Sequence, residues 1–158
     1  MAEIEPRTGL EVLDRHECIA LLSGNSLGRI AVVTDDGRPL VFPVNFALDA
    51  DAIVLRTDPG TKLRLAISSW VAFECDGIDS VYHTGWSVLA SGIGEEVDNA
   101  AEIARLSRLP LALWSPGPKA TWVRIRPRTL SGRRIPPHGP NWSASKSVAG
   151  MILQRHAG

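Results

Sequence analysis

Between residues 27 and 97 the chain is written almost entirely as short apolar runs cut by turn residues, a pattern that few architectures can accept. Residues 27–33 (LGRIAVV) read as a strand, and Asp35-Asp36-Gly37 as the hairpin turn after it, because Asp-Gly readily takes positive φ. Residues 40–48 (LVFPVNFAL) are the returning strand, in which Pro43 implies an edge or a bulge, since it cannot donate to a ladder. A turn at 49–51 leads into the run 53–56. Residues 70–76 (WVAFECD) and 86–97 (WSVLASGIGEEV) supply two more strands, the second bent at Gly92 and Gly94. Residues 121–135 (TWVRIRPRTLSGRRI) close the series as one strand or a pair. Their alternation puts Trp122, Arg124, Arg126 and Arg128 on one face and Val123 and Ile125 on the other.

Helical signals fall only at the seams. Residues 14–22 form a short helix capped by Asp14 and stopped by Ser23-Gly24-Asn25; residues 59–67 form a second; residues 99–109 form a third with Asp98 as its cap. There are no internal repeats. Six or so short strands with two or three helices predict a mainly β fold of the α+β class, a small antiparallel barrel rather than a βαβ sheet. The expected organisation is an N-terminal arm (1–10), one barrel domain (11–135) and a tail (136–158) with a weak helix at its end.

A chain of 158 residues is long enough for one real core. With 44% hydrophobic and 22% charged residues it has the make-up of a soluble globular protein. No apolar run approaches a membrane span and the N-terminus shows no apolar signal region, so the cytoplasm is the expected location. Cys18 and Cys75 have neither metal-type nor redox-type spacing and read as two buried thiols. His16, His138 and His156 form no ligand spacing and no second clustered ligand is visible, so no metal site is expected. Trp70, Trp114 and Trp122 read as core or interface.

Charge is unevenly divided. All 17 acidic residues lie at or before Glu102, against seven cations there, so residues 1–102 carry −10 and the remainder +10. A strand-like segment in the basic part argues against a loose nucleic-acid-binding tail. The two parts are expected to lie against each other, within the fold or across a dimer, with an anionic small ligand. Arg124, Arg126 and Arg128 then read as a solvated strand face, as salt-bridge partners of the acidic part, or as a surface for an anion.

The segment Ile53-Val-Leu-Arg-Thr-Asp-Pro-Gly-Thr-Lys62 carries the sharpest functional signal. A strand ends in Arg56 and Thr57, Asp58-Pro59-Gly60 turns, and Thr61-Lys62 opens a helix. Free N–H groups, a hydroxyl and two cations at such a junction suit an anion. Asp58 opposes a dianion unless its carboxylate turns away to cap the helix. The plain alternative is a capped helix start with solvated Arg and Lys.

Together, IVLRTDPGTKL, WVAFECDGID, TGWSVLASGIGEEV and WVRIRPRTLSGRRI resemble, over roughly residues 10–135, the pyridoxamine 5′-phosphate oxidase-like family of flavin-binding split β-barrels, in particular its small actinobacterial members. The resemblance implies a homodimer with FMN in a groove between subunits. It places the backbone of Pro43, Val44 and Asn45, after Phe42, against the flavin ring. Arg56 and Thr57 fall at the end of the next strand, and Thr61 and Lys62 at the phosphate. Trp86 and Ser87 reach the ring, often from the partner subunit, and Arg133-Arg134 fall near late basic residues. The classical oxidases carry a more basic phosphate loop than Gly60-Thr61-Lys62, so oxidation of pyridoxamine phosphate itself is not expected. His83 is the first candidate for iron if the barrel takes heme; a deazaflavin coenzyme is the other alternative, and a non-enzymatic binding module a third. No Ser/His/Asp, Cys/His or paired-carboxylate arrangement is evident, so the catalytic residues are unknown, as suits a flavoenzyme whose cofactor does the redox chemistry. The expectation is an FMN-dependent oxidoreductase for a small molecule, with no membrane or nucleic-acid partner.

Overall fold

A computed structural model describes residues 3–137. Nine strands and three short helices follow in the order β1 (Glu3–Ile4), β2 (Glu11–Leu13), α1 (Arg15–Ser23), β3 (Leu27–Val33), β4 (Pro39–Asp49), β5 (Ala52–Thr57), α2 (Thr61–Ala66), β6 (Trp70–Asp79), β7 (Thr84–Val97), α3 (Ala100–Leu106), β8 (Thr121–Ile125) and β9 (Thr129–Ile135). Every strand pairing is antiparallel, in the order β1-β2-β9-β7-β6-β3-β4-β5-β8, and a further β7–β8 pairing closes β7-β6-β3-β4-β5-β8 into a six-stranded barrel. The predicted antiparallel barrel is therefore the observed one.

β7 makes the closure possible because it is long enough to serve two neighbours along one edge. Gly85–Ser91 pair with β9, and Gly94–Val97 pair with β8. Between them the strand must bend tightly. A Cβ at Gly94 would collide with the carbonyl oxygen of Ala66, where α2 packs against the barrel, and one at Gly92 with that of Arg126. The bend expected from Gly92 and Gly94 is a requirement of close backbone approach.

The barrel interior is filled by alternate residues, among them Ile30 and Val32, Phe73 and Cys75, Val88 and Ala90, Val123 and Ile125. Phe46 meets Phe73 edge to face at 4.8 Å between centroids. β5 is buried on both faces, which explains its unbroken apolar run. Ile53 and Leu55 point into the barrel, while Val54 joins Ala47, Val97, Leu106 and Trp122 in a second cluster beneath α3.

The helix caps show where local signals hold. Asp14 caps α1 in a reciprocal capping box, accepting from Glu17 N at 2.8 Å while Glu17 accepts from Asp14 N at 2.9 Å. α3 is capped one residue later than expected, by Asn99 rather than Asp98, because it accepts from Glu102 N at 3.0 Å. α2 is shorter than expected and has no side-chain cap; Asp58 is engaged elsewhere. β1 and β2 carry no strand signal, being two and three residues long. The tail, with its expected helix, lies outside the described residues from 138 onward.

The arginine stripe that begins in β8 is largely covered at Arg124 and exposed at Arg126 and Arg128, and its charges meet partners within the chain. Trp122 is only 3% exposed, and Arg124 pairs with Glu95 and Glu102 of the same chain. Arg126 also pairs with Glu95, and Arg128 lies over the Trp70 ring at 5.4 Å. Arg105 binds Asp49, and Arg134 lies within reach of Glu11 and Glu17. The opposed charges of the two parts thus meet within one chain. Of the three tryptophans assigned to core or interface, only Trp122 is core; Trp70 and Trp114 are 57% and 66% exposed on the chain. Both cysteines are free and fully buried, as expected.

Candidate functional site

β4 outruns its neighbour. Residues 46–49 pair with β5, but Pro39 to Asn45 pair only with β3, so this half of β4 has one open edge. Pro43 sits in that open half, where its missing N–H costs no ladder bond. β5 meanwhile continues along β8, with Arg56 opposite Trp122 and Thr57 opposite Thr121. The gap between the open edge of β4 and the end of β5 is a cleft of about 300 Å³.

Phe42, Pro43, Val44, Asn45, Arg56 and Lys62 line this cleft, so six residues singled out from the sequence lie together. Leu113, Ser115 and Lys119 complete it from residues 110–120, a strap that connects α3 to β8. Those three were not read from the sequence. A Pro-rich segment without periodicity gives no sign of what it packs on; Lys119, the one cation within it, was the available signal.

The strap is tied to the barrel by the residues that also line the cleft. Arg56 donates from Nε to Lys119 O at 2.7 Å and from Nη2 to Pro118 O at 3.3 Å, with its guanidinium 5.2 Å from the centre of the Trp122 ring. Trp114 N donates to Asn45 Oδ1 at 2.9 Å, while Asn45 Nδ2 donates to Ser26 O at 3.2 Å. Asp58 accepts from Lys119 N at 2.7 Å and pairs with the Lys119 ammonium. Hydrogen bonding from Lys119 holds the Asp58 carboxyl below its ordinary value.

Lys62 is different. It is half-buried, its Nζ stands 5.4 Å from the Phe42 ring centre, and no carboxylate lies within 4.0 Å of it among the described residues. Burial pushes its pKa down, Lys119 adds to that, and Asp58 opposes it. A half-desolvated cation whose nearest carboxylate, Asp58, is already paired with Lys119 is electrostatically incomplete, and an anion would complete it. Thr57 is buried, with its hydroxyl on Asp58 O at 3.2 Å, and Thr61 is exposed; neither lines the cleft.

Trp86 and Ser87 lie elsewhere on the chain. They line a groove of about 620 Å³ where β6, β7 and β9 run on beyond the barrel, together with Ile78, His83, Arg133 and Ile135. An adjoining depression of about 440 Å³ shares Trp86 and extends to Arg134. Arg134 is occupied by Glu11 at 2.8 Å, whereas Arg133 donates from Nη1 to Gly132 O at 2.9 Å and lies 3.8 Å from Glu5. Ile78, Val81 and Tyr82, around the β6–β7 hairpin, are exposed. No helix among the described residues is long and apolar enough to cross a membrane.

Residues 14–134 match the pyridoxamine 5′-phosphate oxidase family, and the chain belongs to that family. An uncharacterized protein of Mycobacterium tuberculosis is 35% identical over 82% of this chain and 90% of its own length. Among solved structures, an FAD-binding protein from Mycobacterium smegmatis is 35% identical with a TM-score of 0.67, over 78% of this chain and 97% of that one. An FAD-binding protein from Mesorhizobium loti is 25% identical with a TM-score of 0.69, over 80% and 99%.

Proposed function

We propose that this protein binds a flavin nucleotide with its phosphate at Lys62, and acts as a homodimeric, cytoplasmic, flavin-dependent oxidoreductase on a small organic molecule. The observation that carries the reading is the half-buried Lys62 ammonium, unpaired with any carboxylate among the described residues, beside the open backbone edge of Pro43–Asn45. A phosphate supplies the missing anion, and charge-assisted donors are what it requires. The relatives from M. smegmatis and M. loti, both FAD-binding, support a flavin and favour FAD over FMN; the two share the same ring, ribityl chain and first phosphate.

Size supports a second subunit. A cleft of about 300 Å³ stands at the bottom of the range for ligand sites and takes the phosphate and part of the chain attached to it. The ring then projects toward a partner, and the apolar groove of Trp86 and Ser87, with the exposed Ile78, Val81 and Tyr82, is the surface suited to cover it. The bound flavin would supply hydride or electron transfer. The chain's own residues hold it: Lys62 by charge, β4 by main-chain polar groups at the ring, Trp86 as an apolar wall that excludes water.

The test is an absorption spectrum of the purified protein before and after incubation with FMN or FAD, followed by desalting and chromatography of the released nucleotide, with sedimentation to fix the oligomeric state. Retention of about one flavin per chain on a dimer is the expected result. Retention of neither flavin would end the proposal.

A further inference from the structure

We infer that Lys119 is a second anion-binding cation of the cleft, held in reserve by Asp58, and that an incoming phosphate takes Lys119 from Asp58. This rests on the flavin reading and adds to it a residue on the strap and a built-in competitor.

Lys119 is fixed from three sides. Its N–H binds Asp58 Oδ1 at 2.7 Å, its carbonyl accepts from Arg56 at 2.7 Å, and its ammonium pairs with Asp58 Oδ2. It is also, among the described residues, one of four non-glycine residues at positive φ, at 40°, a conformation that costs free energy and persists where its surroundings over-determine it. That backbone delivers the side chain into the same cleft as Lys62. The two ammonium groups are close enough for Lys119 to depress Lys62, so the cleft concentrates positive charge with one carboxylate to offset it. Asp58 has a single hydrogen-bonding partner for its Oδ2, the Lys119 ammonium. A phosphate that binds Lys62 competes for that ammonium, and the Asp58 carboxylate, which lies toward solvent, can be rehydrated when it is displaced. Asp58 therefore sets a threshold: anions that bring enough charge gain both lysines, and neutral ligands gain neither.

Asp58→Asn separates the two roles of this side chain. The amide oxygen still accepts from Lys119 N and keeps the strap in place, while the charge that holds the ammonium is gone. Wild type, Asp58→Asn, Lys119→Met and the double variant are titrated with FMN, FAD and riboflavin by flavin fluorescence, and with inorganic pyrophosphate by calorimetry. Asp58→Asn should bind phosphate-bearing flavins about fivefold more tightly, the scale of an exposed ion pair, and leave riboflavin unchanged. Lys119→Met should weaken FMN and FAD, and in its background Asp58→Asn should bring no gain. An equal gain in that background would mean that Asp58 acts only through its field on Lys62, and would overturn the inference, as would an unchanged or weaker affinity of Asp58→Asn. Pyrophosphate keeps the two proposals apart. If no flavin binds wild type but pyrophosphate shows the Lys119-dependent gain, the flavin reading fails and the Asp58–Lys119 exchange stands. If flavins bind without that gain, the exchange fails and the flavin reading stands.

Discussion

Arg124 of β8 donates from Nη1 to Glu102 Oε1 of α3 at 2.8 Å, and its Nε lies 3.3 Å from Glu95 of β7. One guanidinium, with its side chain only 12% exposed, thus ties α3 and two barrel strands together over the Trp122 cluster. Removing it takes the Arg124 partner from Glu102 and leaves Glu95 with Arg126, and it opens the Trp122 cluster that the guanidinium covers. Arg124→Met is expected to cost about 1–2 kcal/mol, between the values for exposed and buried pairs. Glu102→Gln should cost less, because Arg124 keeps Glu95. Urea unfolding of both variants checks the order, and a stability equal to wild type for Arg124→Met would refute it.

Lys62 carries the opposite expectation for stability. Its pKa is depressed by burial, so holding its charge in the fold is a cost that a ligand offsets. Lys62→Met should leave the unfolding midpoint unchanged or raise it. Affinity for FMN and FAD should fall at least tenfold, since a charged hydrogen bond is worth roughly 1.5–3 kcal/mol, while riboflavin loses little. Equal losses for all three flavins would count against a phosphate contact.

Gly94 marks the point where β7 passes α2, with Ser68 N donating to its carbonyl at 2.8 Å and its own N–H donating to Ser69 O at 3.1 Å. A methyl group there falls on the Ala66 carbonyl oxygen. Gly94→Ala is expected to cost about 3 kcal/mol by overpacking, or to prevent folding. Gly24→Ala, where the nearest atom stands 3.7 Å from the added carbon, is the control and should stay within about 0.5 kcal/mol. Similar thermal midpoints for the two variants would remove the packing argument.

Acid should weaken the fold through a small set of carboxylates. Hydrogen bonds from Thr34 to Asp36, Arg105 to Asp49, Lys119 to Asp58 and Arg124 to Glu102 hold each acid below its ordinary value. Groups with depressed folded values contribute stability that is present above the unfolded value and lost as pH falls through the folded one. The urea midpoint should therefore be level from neutrality to about pH 5 and decline below about pH 4. A midpoint that rises as pH drops through that window would contradict the ion-pair assignments.

The thiols should be silent in the native state. Burial, reinforced by Glu74 and Asp76, pushes Cys75 up to about 11, and burial also raises Cys18. A disulfide reagent at mildly alkaline pH should titrate neither until denaturant is added, and then both, because the thiolate is the reactive form. Rapid native labelling of either cysteine would show that its strand opens locally.

Much of the barrel could be read from residue order alone. Alternation in β3, β6 and β8 assigns their inward faces, since a side-chain period of two leaves no other choice once one face is buried. Asp14 and Glu17 announce α1 by a capping box that involves only neighbours in sequence. Gly92 and Gly94 announce a bend. β1 and β2 were invisible because strands of two and three residues exist through their partners, β9 above all.

The cleft divides in the same way. Phe42–Asn45, Arg56 and Lys62 could be named from sequence because a strand end, a turn and a helix start are local events. Leu113, Ser115 and Lys119 could not, and neither could the use of Arg56 as the strap's anchor or the turning of Asp58 away from α2 toward Lys119. These pairings join residues about sixty positions apart. Trp86 and Ser87 were named with the same site and lie in a separate groove of the single chain. The barrel strands, the bends and an anion-ready junction were legible in the sequence, because these follow from side-chain period, missing Cβ atoms and charge placed along the chain. Which cation is free and which is paired was decided only by the tertiary structure, because barrel closure through β7 and β8 brings the strap over the junction and sets Lys119, rather than Lys62, against Asp58.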